Sequence, residues 1–157
     1  MKIGIVGNGF VGNAIYENVK SFYETIVYDV NSDLSHCSAI SDVTQQCDFI
    51  FVAVPTPMYL TGDPDLSIVF NVMNKIYADY NGNIVILKST VVPGTCEEIK
   101  SKFPDMKIVF SPEFLTEANS KMDFKICNRM IFGGDPNHCQ ECVDMMKDIL
   151  PNKQYKI

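Results

Sequence analysis

The sequence holds no cluster of lysine and arginine, and arginine occurs once, at Arg129. With a net charge of −6 and a pI near 4.8, it offers no basic face of the kind that neutralises a phosphate backbone. Nucleic acid is not an expected partner. A basic-plus-apolar leader is also lacking, because Met1 and Lys2 run directly into Ile3-Gly4-Ile5-Val6. No apolar run approaches the roughly eighteen residues of a membrane span. These absences predict a soluble, cytoplasmic chain without a membrane partner. Its six cysteines, Cys37, Cys47, Cys96, Cys127, Cys139 and Cys142, are then expected as reduced thiols rather than disulfide partners. "HCQEC" (138–142) carries a single Cys-x-x-Cys and lacks the second ligand pair of a structural zinc site. Helical spacing makes Cys139 and Cys142 two small apolar side chains on one helix face, and no metal is expected.

What is present points to one domain. A chain of 157 residues, 46% hydrophobic, is long enough for one core and short for two. Short apolar runs alternate with amphipathic stretches of helical length. The expected strands are Lys2–Val6, Thr25–Asp29, Asp48–Val54, Asn83–Lys88, Lys107–Phe110 and Arg129–Gly133. Expected helices cover 11–21, 66–79, 93–102 and 136–150, with a weaker one at 38–46. Asp65, Pro93 and Asp135-Pro136 supply start signals. Six apolar runs joined by helical crossovers predict a three-layer α/β fold: a Rossmann-like, doubly wound parallel sheet in the order 3-2-1-4-5-6.

"GIVGNGFVGNAIYENV" places Gly7, Gly9 and Gly12 in G-x-G-x-x-G spacing between the first strand and an amphipathic helix. Gly7 suits a tight turn, Gly9 admits a pyrophosphate close to the backbone, and Gly12 permits close helix-to-strand packing. Phosphates there would sit on a helix N-terminus. Glycine spacing alone also serves structural turns. Here the second strand ends in "IVYDV", which puts Asp29 22 residues after Gly7, where a carboxylate accepts hydrogen bonds from a ribose diol. A carboxylate repels a 2′-phosphate, and the lone arginine is far along the chain, so the expected dinucleotide is NAD rather than NADP.

Three more segments fall at expected strand C-termini: "VAVPTP" (52–57), "LKSTVVPGT" (87–95) and "SPEFLTE" (111–117). With the glycine loop, in this order, they resemble the N-terminal NAD-binding domain of the UDP-glucose/GDP-mannose dehydrogenase family. The resemblance covers nearly the whole chain. It implies oxidation of a nucleotide-sugar alcohol of the UDP-glucose type, by way of an aldehyde held as a thiohemiacetal, to the uronic acid. By this resemblance Gly7, Gly9, Phe10, Val11 and Gly12 surround the pyrophosphate, Asp29 holds the ribose, and Thr56 lines the cofactor. Thr90 lies near the nicotinamide and helps place water. Glu117 faces cofactor and sugar as the proposed base for thioester hydrolysis. Glu113, Phe114, Leu115 and Glu117 form the sugar-facing segment, with Glu113 and Glu117 expected on one short helical turn. Glu113 reads equally well as a carboxylate that anchors this turn.

The family's nucleophilic cysteine, in a Gly-Phe-Gly-Gly-x-Cys type segment, has no counterpart here. "IFGGDPNHC" (131–139) closes the sixth expected strand and puts Cys139 inside a helix. Cys96 stands beside Glu97 and Glu98, whose charges disfavour a thiolate. Leu34, Thr116 and Ala118 replace residues common in the family. The expectation is an NAD-binding part that needs a second domain or chain to turn over UDP-glucose, with a homo-oligomer left open. The alternative is a stand-alone module that binds NAD or a nucleotide sugar without oxidoreductase activity.

Overall fold

A computed structural model describes residues 1–157. Strands β1 (Lys2–Val6), β2 (Glu24–Tyr28), β3 (Phe49–Val52), β4 (Ile84–Leu87) and β5 (Lys107–Phe110) pair in parallel, in the order β2-β1-β3-β4-β5. Helices α1 (Phe10–Val19), α2 (Ile40–Gln46), α3 (Ser67–Ala78) and α4 (Thr95–Lys102) form the crossovers between them.

Alternation along each strand explains the layers. Phe49, Phe51, Ile84 and Ile86 point to the side packed by α1, whereas Ile50, Val52, Val85 and Leu87 point to the side packed by α2, α3 and α4. Both faces are apolar, as a parallel sheet buried between helices requires.

The expected doubly wound α/β fold is present, and its strand order is corrected. The third strand pairs with β1 instead of flanking β2. Residues 29–48 between β2 and β3 hold only a 3-10 turn, Ser32–Leu34, and the seven-residue α2. The chain nevertheless reverses after β2, and β3 takes the place on the other side of β1. Reversal with right-handed crossovers puts α1 and α2 on opposite faces of the sheet, as observed.

The sixth expected strand divides. β6 (Arg129–Ile131) pairs in parallel with β8 (Gln154–Lys156) in a separate two-stranded sheet, a strand that hydrophobic pattern alone does not mark. β7 (Gly133–Gly134) pairs antiparallel with β5. Buried Phe132 stands between them, and Gly134, at φ 153°, passes so close to β5 that a Cβ would lie 3.0 Å from the Ile108 carbonyl oxygen. Helices α5 (Ser120–Ile126) and α6 (Pro136–Ile149) cover this end on the α1 side. Asp135 caps α6 by accepting from the N–H groups of Asn137 and His138, with Pro136 in the first turn. α4 begins later than expected, after Gly94 at φ 93°, which leaves Pro93 in the preceding turn.

Close packing of β1 on α1 fixes the start of the fold. A Cβ on Gly12 would stand 1.8 Å from the carbonyl oxygen of Gly7, a backbone atom that cannot step aside. Gly12→Ala is therefore expected to cost about 3 kcal/mol of folding stability, measured by urea unfolding. A cost below about 0.5 kcal/mol would show that the contact is not tight.

Candidate functional site

Reversal of the crossovers at β1 opens a crevice at the strand C-termini, the usual ligand position in an open α/β sheet. A cleft of about 610 Å³ lies there, lined by residues that follow β1, β2, β3, β4 and β5. From β2 to β5 are four strand spacings, about 19 Å across the sheet, a width that suits an extended ligand.

At one end the glycine turn meets the end of β2. Gly7 has φ 93°, and a Cβ there would be 2.6 Å from the Ala53 carbonyl oxygen. Over Gly9 there is open space, with nothing within 4 Å of the site of a Cβ. Gly9 is also the N-cap of α1, which has no side-chain cap and no acidic residue in its first turn. The free N–H groups and the helix dipole there suit an anion. Asp29 accepts 2.6 Å and 2.8 Å hydrogen bonds from the N–H groups of Asn8 and Asn31, and it lines the cleft. A carboxylate has about four acceptor positions, so two backbone donors leave capacity for a diol. Buried Asn8 donates its amide to the Leu34 carbonyl at 2.7 Å, tying the glycine turn to the loop after β2.

At the other end the cleft wall is built from Ser89, Thr90, Lys88, Glu113 and Leu115. Ser89 donates to the Val54 carbonyl at 2.7 Å and joins the ends of β3 and β4. Lys88 is buried at the end of β4. Its ammonium lies 3.3 Å from Ser111 Oγ, 3.3 Å from the Pro112 carbonyl oxygen and 3.4 Å from Glu113 Oε2. Burial pushes the Lys88 pKa down, and the Glu113 carboxylate opposes that shift.

Gly7, Gly9, Phe10, Val11, Asp29, Thr56, Thr90, Glu113 and Leu115 all meet in this one cleft. Gly12, Phe114 and Glu117 do not line it. Gly12 lies under the turn, and the exposed Phe114 ring packs against the Arg129 guanidinium at 5.3 Å. The shared helical turn of Glu113 and Glu117 is not formed. Residues 111–116 are irregular, and exposed Glu117 opens a separate 3-10 turn, Glu117–Asn119. The irregular stretch is held by Asp123 of α5, whose carboxylate accepts from the Thr116 hydroxyl at 2.6 Å and the Thr116 N–H at 2.8 Å. Asn8, Lys88 and Ser89 are the structural residues that motif reading passed over. For Lys88, an ionisable residue directly after "IVIL" was the available signal.

Cys139 and Cys142 are fully buried on α6. Burial also raises the pKa of Cys96, with Glu97 adding to the shift.

Fold and cleft together define a dinucleotide-binding α/β domain. Residues 14–151 match the UDP-glucose/GDP-mannose dehydrogenase family, NAD binding domain. UDP-glucose 6-dehydrogenase of Rickettsia conorii is 34% identical over 94 residues, which cover 57% of this chain and 22% of that protein. The enzyme of the same name from Campylobacter jejuni is 32% identical over 168 residues, covering 85% of this chain and 42% of that protein. That aligned length exceeds the chain's own 157 residues, so this relative carries segments that the chain lacks. Among solved structures, a ternary complex of GDP-mannose dehydrogenase from Pseudomonas aeruginosa superimposes with a TM-score of 0.82 at 21% identity, over 100% of this chain and 45% of that one. The chain spans less than half the length of each of the three. It belongs to the UDP-glucose/GDP-mannose dehydrogenase family and forms its NAD-binding domain. No helix is long and apolar enough to cross a membrane.

The Asp123 contacts have a pH signature. The Thr116 hydroxyl, then the Thr116 N–H, hold the Asp123 carboxyl below its ordinary value of 3.8. A depressed folded pKa means that the stabilisation is present above the unfolded value and is lost as pH falls through the folded one. The Thr116 amide resonance is therefore expected to titrate with a midpoint below 3.8 and to lose that transition in Asp123→Ala. A midpoint at or above 3.8 would mean that these hydrogen bonds do not form in solution.

Proposed function

We propose that this domain supplies the cofactor-binding half of a nucleotide-sugar dehydrogenase acting on a sugar of the UDP-glucose type. The carrying observation is the single cleft that joins an uncapped helix N-terminus behind Gly9, the Asp29 carboxylate, and the Thr90/Glu113 wall. NAD, when bound, supplies the hydride acceptor. Backbone N–H groups of Phe10 and Val11 would hold the pyrophosphate. Asp29 would accept from the adenosine ribose, which orients the cofactor across the sheet and directs the nicotinamide toward the β4 and β5 ends. Thr56 would line the middle of that path.

Thr90, exposed at the far end, is placed to hold a water or a sugar hydroxyl by its own hydroxyl group. Glu113 shares this end of the cleft wall with Thr90 and would be the carboxylate nearest to hand there. The proposed part of Glu117 in hydrolysis rests on the family resemblance alone. Leu115 would give the sugar an apolar floor, with Phe114 on the outer side. Positioning of this kind lowers a barrier by placing reactants in advance of reaction.

Titration calorimetry of NAD and NADP into the purified chain tests the reading. NAD is expected to bind more tightly than NADP, and Asp29→Ala is expected to weaken NAD by about 1–3 kcal/mol through loss of charge-assisted hydrogen bonds. Equal affinity in the variant, or tighter NADP, would remove Asp29 from the ribose site.

A further inference from the structure

Two cavities meet at one ion pair. The NAD cleft and a much smaller cavity of about 20 Å³ behind it share Lys88, Glu113 and Leu115 in their walls. Behind that wall stand Lys153 and Arg129, together with the half-buried Cys127. Lys153 donates at 2.6 Å to the carbonyls of Phe124 and Cys127 at the end of α5. Glu113 is thus contacted by Lys88, directly after β4, and by its own neighbour Phe114, whose N–H donates to Oε1 at 2.9 Å, while Lys153, in the turn before β8, lines the same small cavity.

The two faces of the carboxylate differ. Oε1 holds the Phe114 amide, whereas buried Oε2 has no hydrogen bond and has the Lys88 ammonium 3.4 Å away. The side chains of Lys88 and Glu113 are 3% and 12% exposed. A lysine this deeply buried is rarely tolerated unless its charge is matched. Its match is the carboxylate of the cleft wall.

We propose that Lys88 is a positioning residue: with Lys153 behind it, its ammonium fixes the Glu113 carboxylate against the nicotinamide end of the cleft. The inference rests on the NAD reading for its functional meaning, but the contact itself exists without ligand. Lys88 acts through Glu113, and Ser111 Oγ and the Pro112 carbonyl hold the ammonium in place. Because Ser111 and Pro112 directly precede Glu113, one lysine anchors both the segment's entry and its carboxylate.

The test is a set of amide NMR spectra of the whole chain, with and without NAD, for wild type, Lys88→Met, Lys153→Met and Glu113→Ala. The Phe114 amide reports its hydrogen bond to Glu113, and the Gly7 and Gly9 amides report cofactor binding. Lys88→Met is expected to move the Phe114 resonance at least halfway to its position in Glu113→Ala, with a smaller movement in the same direction for Lys153→Met. NAD is expected to shift Gly7 and Gly9 in every variant and Phe114 only where Lys88 is intact. A Phe114 resonance unmoved in Lys88→Met overturns the proposal, whereas Gly7 and Gly9 resonances unmoved by NAD in wild type overturn the NAD reading instead. If Lys88→Met does not fold, Lys88→Met/Glu113→Gln decides, since it leaves no unmatched charge. A folded double variant whose Phe114 resonance coincides with that of Glu113→Gln alone supports the proposal, because Lys88 then acts only through the carboxylate, and one that differs from it overturns the proposal. A double variant as unfolded as the single one makes Lys88 a packing element and overturns it.

Discussion

The backbone contact between the Gly7 turn and the first turn of α1 is the constraint on which the site depends. It forces α1 to leave β1 at a close and fixed angle, with the N-terminus of the helix directly over the strand end. Glycine at position 12 admits the approach, and Gly7 adopts the positive φ that bends the chain into it. The consequence extends across the sheet. Once α1 lies on one face, right-handedness decides that the return past β1 must run along the other, and the crevice falls where the two directions part. Asp29 and Asn8 then lock the turn to the end of β2, so the N-terminus of α1 and the Asp29 carboxylate hold a fixed separation.

Motif and periodicity made the first half of the chain readable, because its signals are local. Gly7, Gly9, Gly12 and Asp29 lie within one strand–helix–strand unit, and their spacing states their geometry. Strand order is not local. Nothing in "FIFV" (49–52) says whether β3 will join β1 or flank β2, and only its pairing in the assembled sheet decides. The same holds beyond residue 110. Short β6 and β8 depend on each other for pairing, and the two glycines of β7 carry no side chain for a pattern to register. Glu113 and Glu117 have helical spacing without a helix, since Pro112 and the Asp123 contacts to Thr116 organise that segment through side chains rather than through backbone bonds.

Charge in the site follows a different rule from charge on the surface. The exposed pairs Lys2–Glu24 and Lys102–Glu98 are solvated on both sides and contribute little to stability. Lys88 and Glu113 are removed from water together, and desolvation of each opposes the attraction between them. Such a pair is not the economical way to fill a wall: two apolar side chains of similar volume would hold it as well or better. Its place at the β4 and β5 ends puts a fixed carboxylate in the cleft wall at some cost to stability. Burial also removes the alternatives open to a surface glutamate. With Oε1 engaged by its neighbour's amide and Oε2 facing the ammonium, the carboxylate has one orientation, and that orientation is set by Lys88, which follows β4 directly and stands two residues before Thr90.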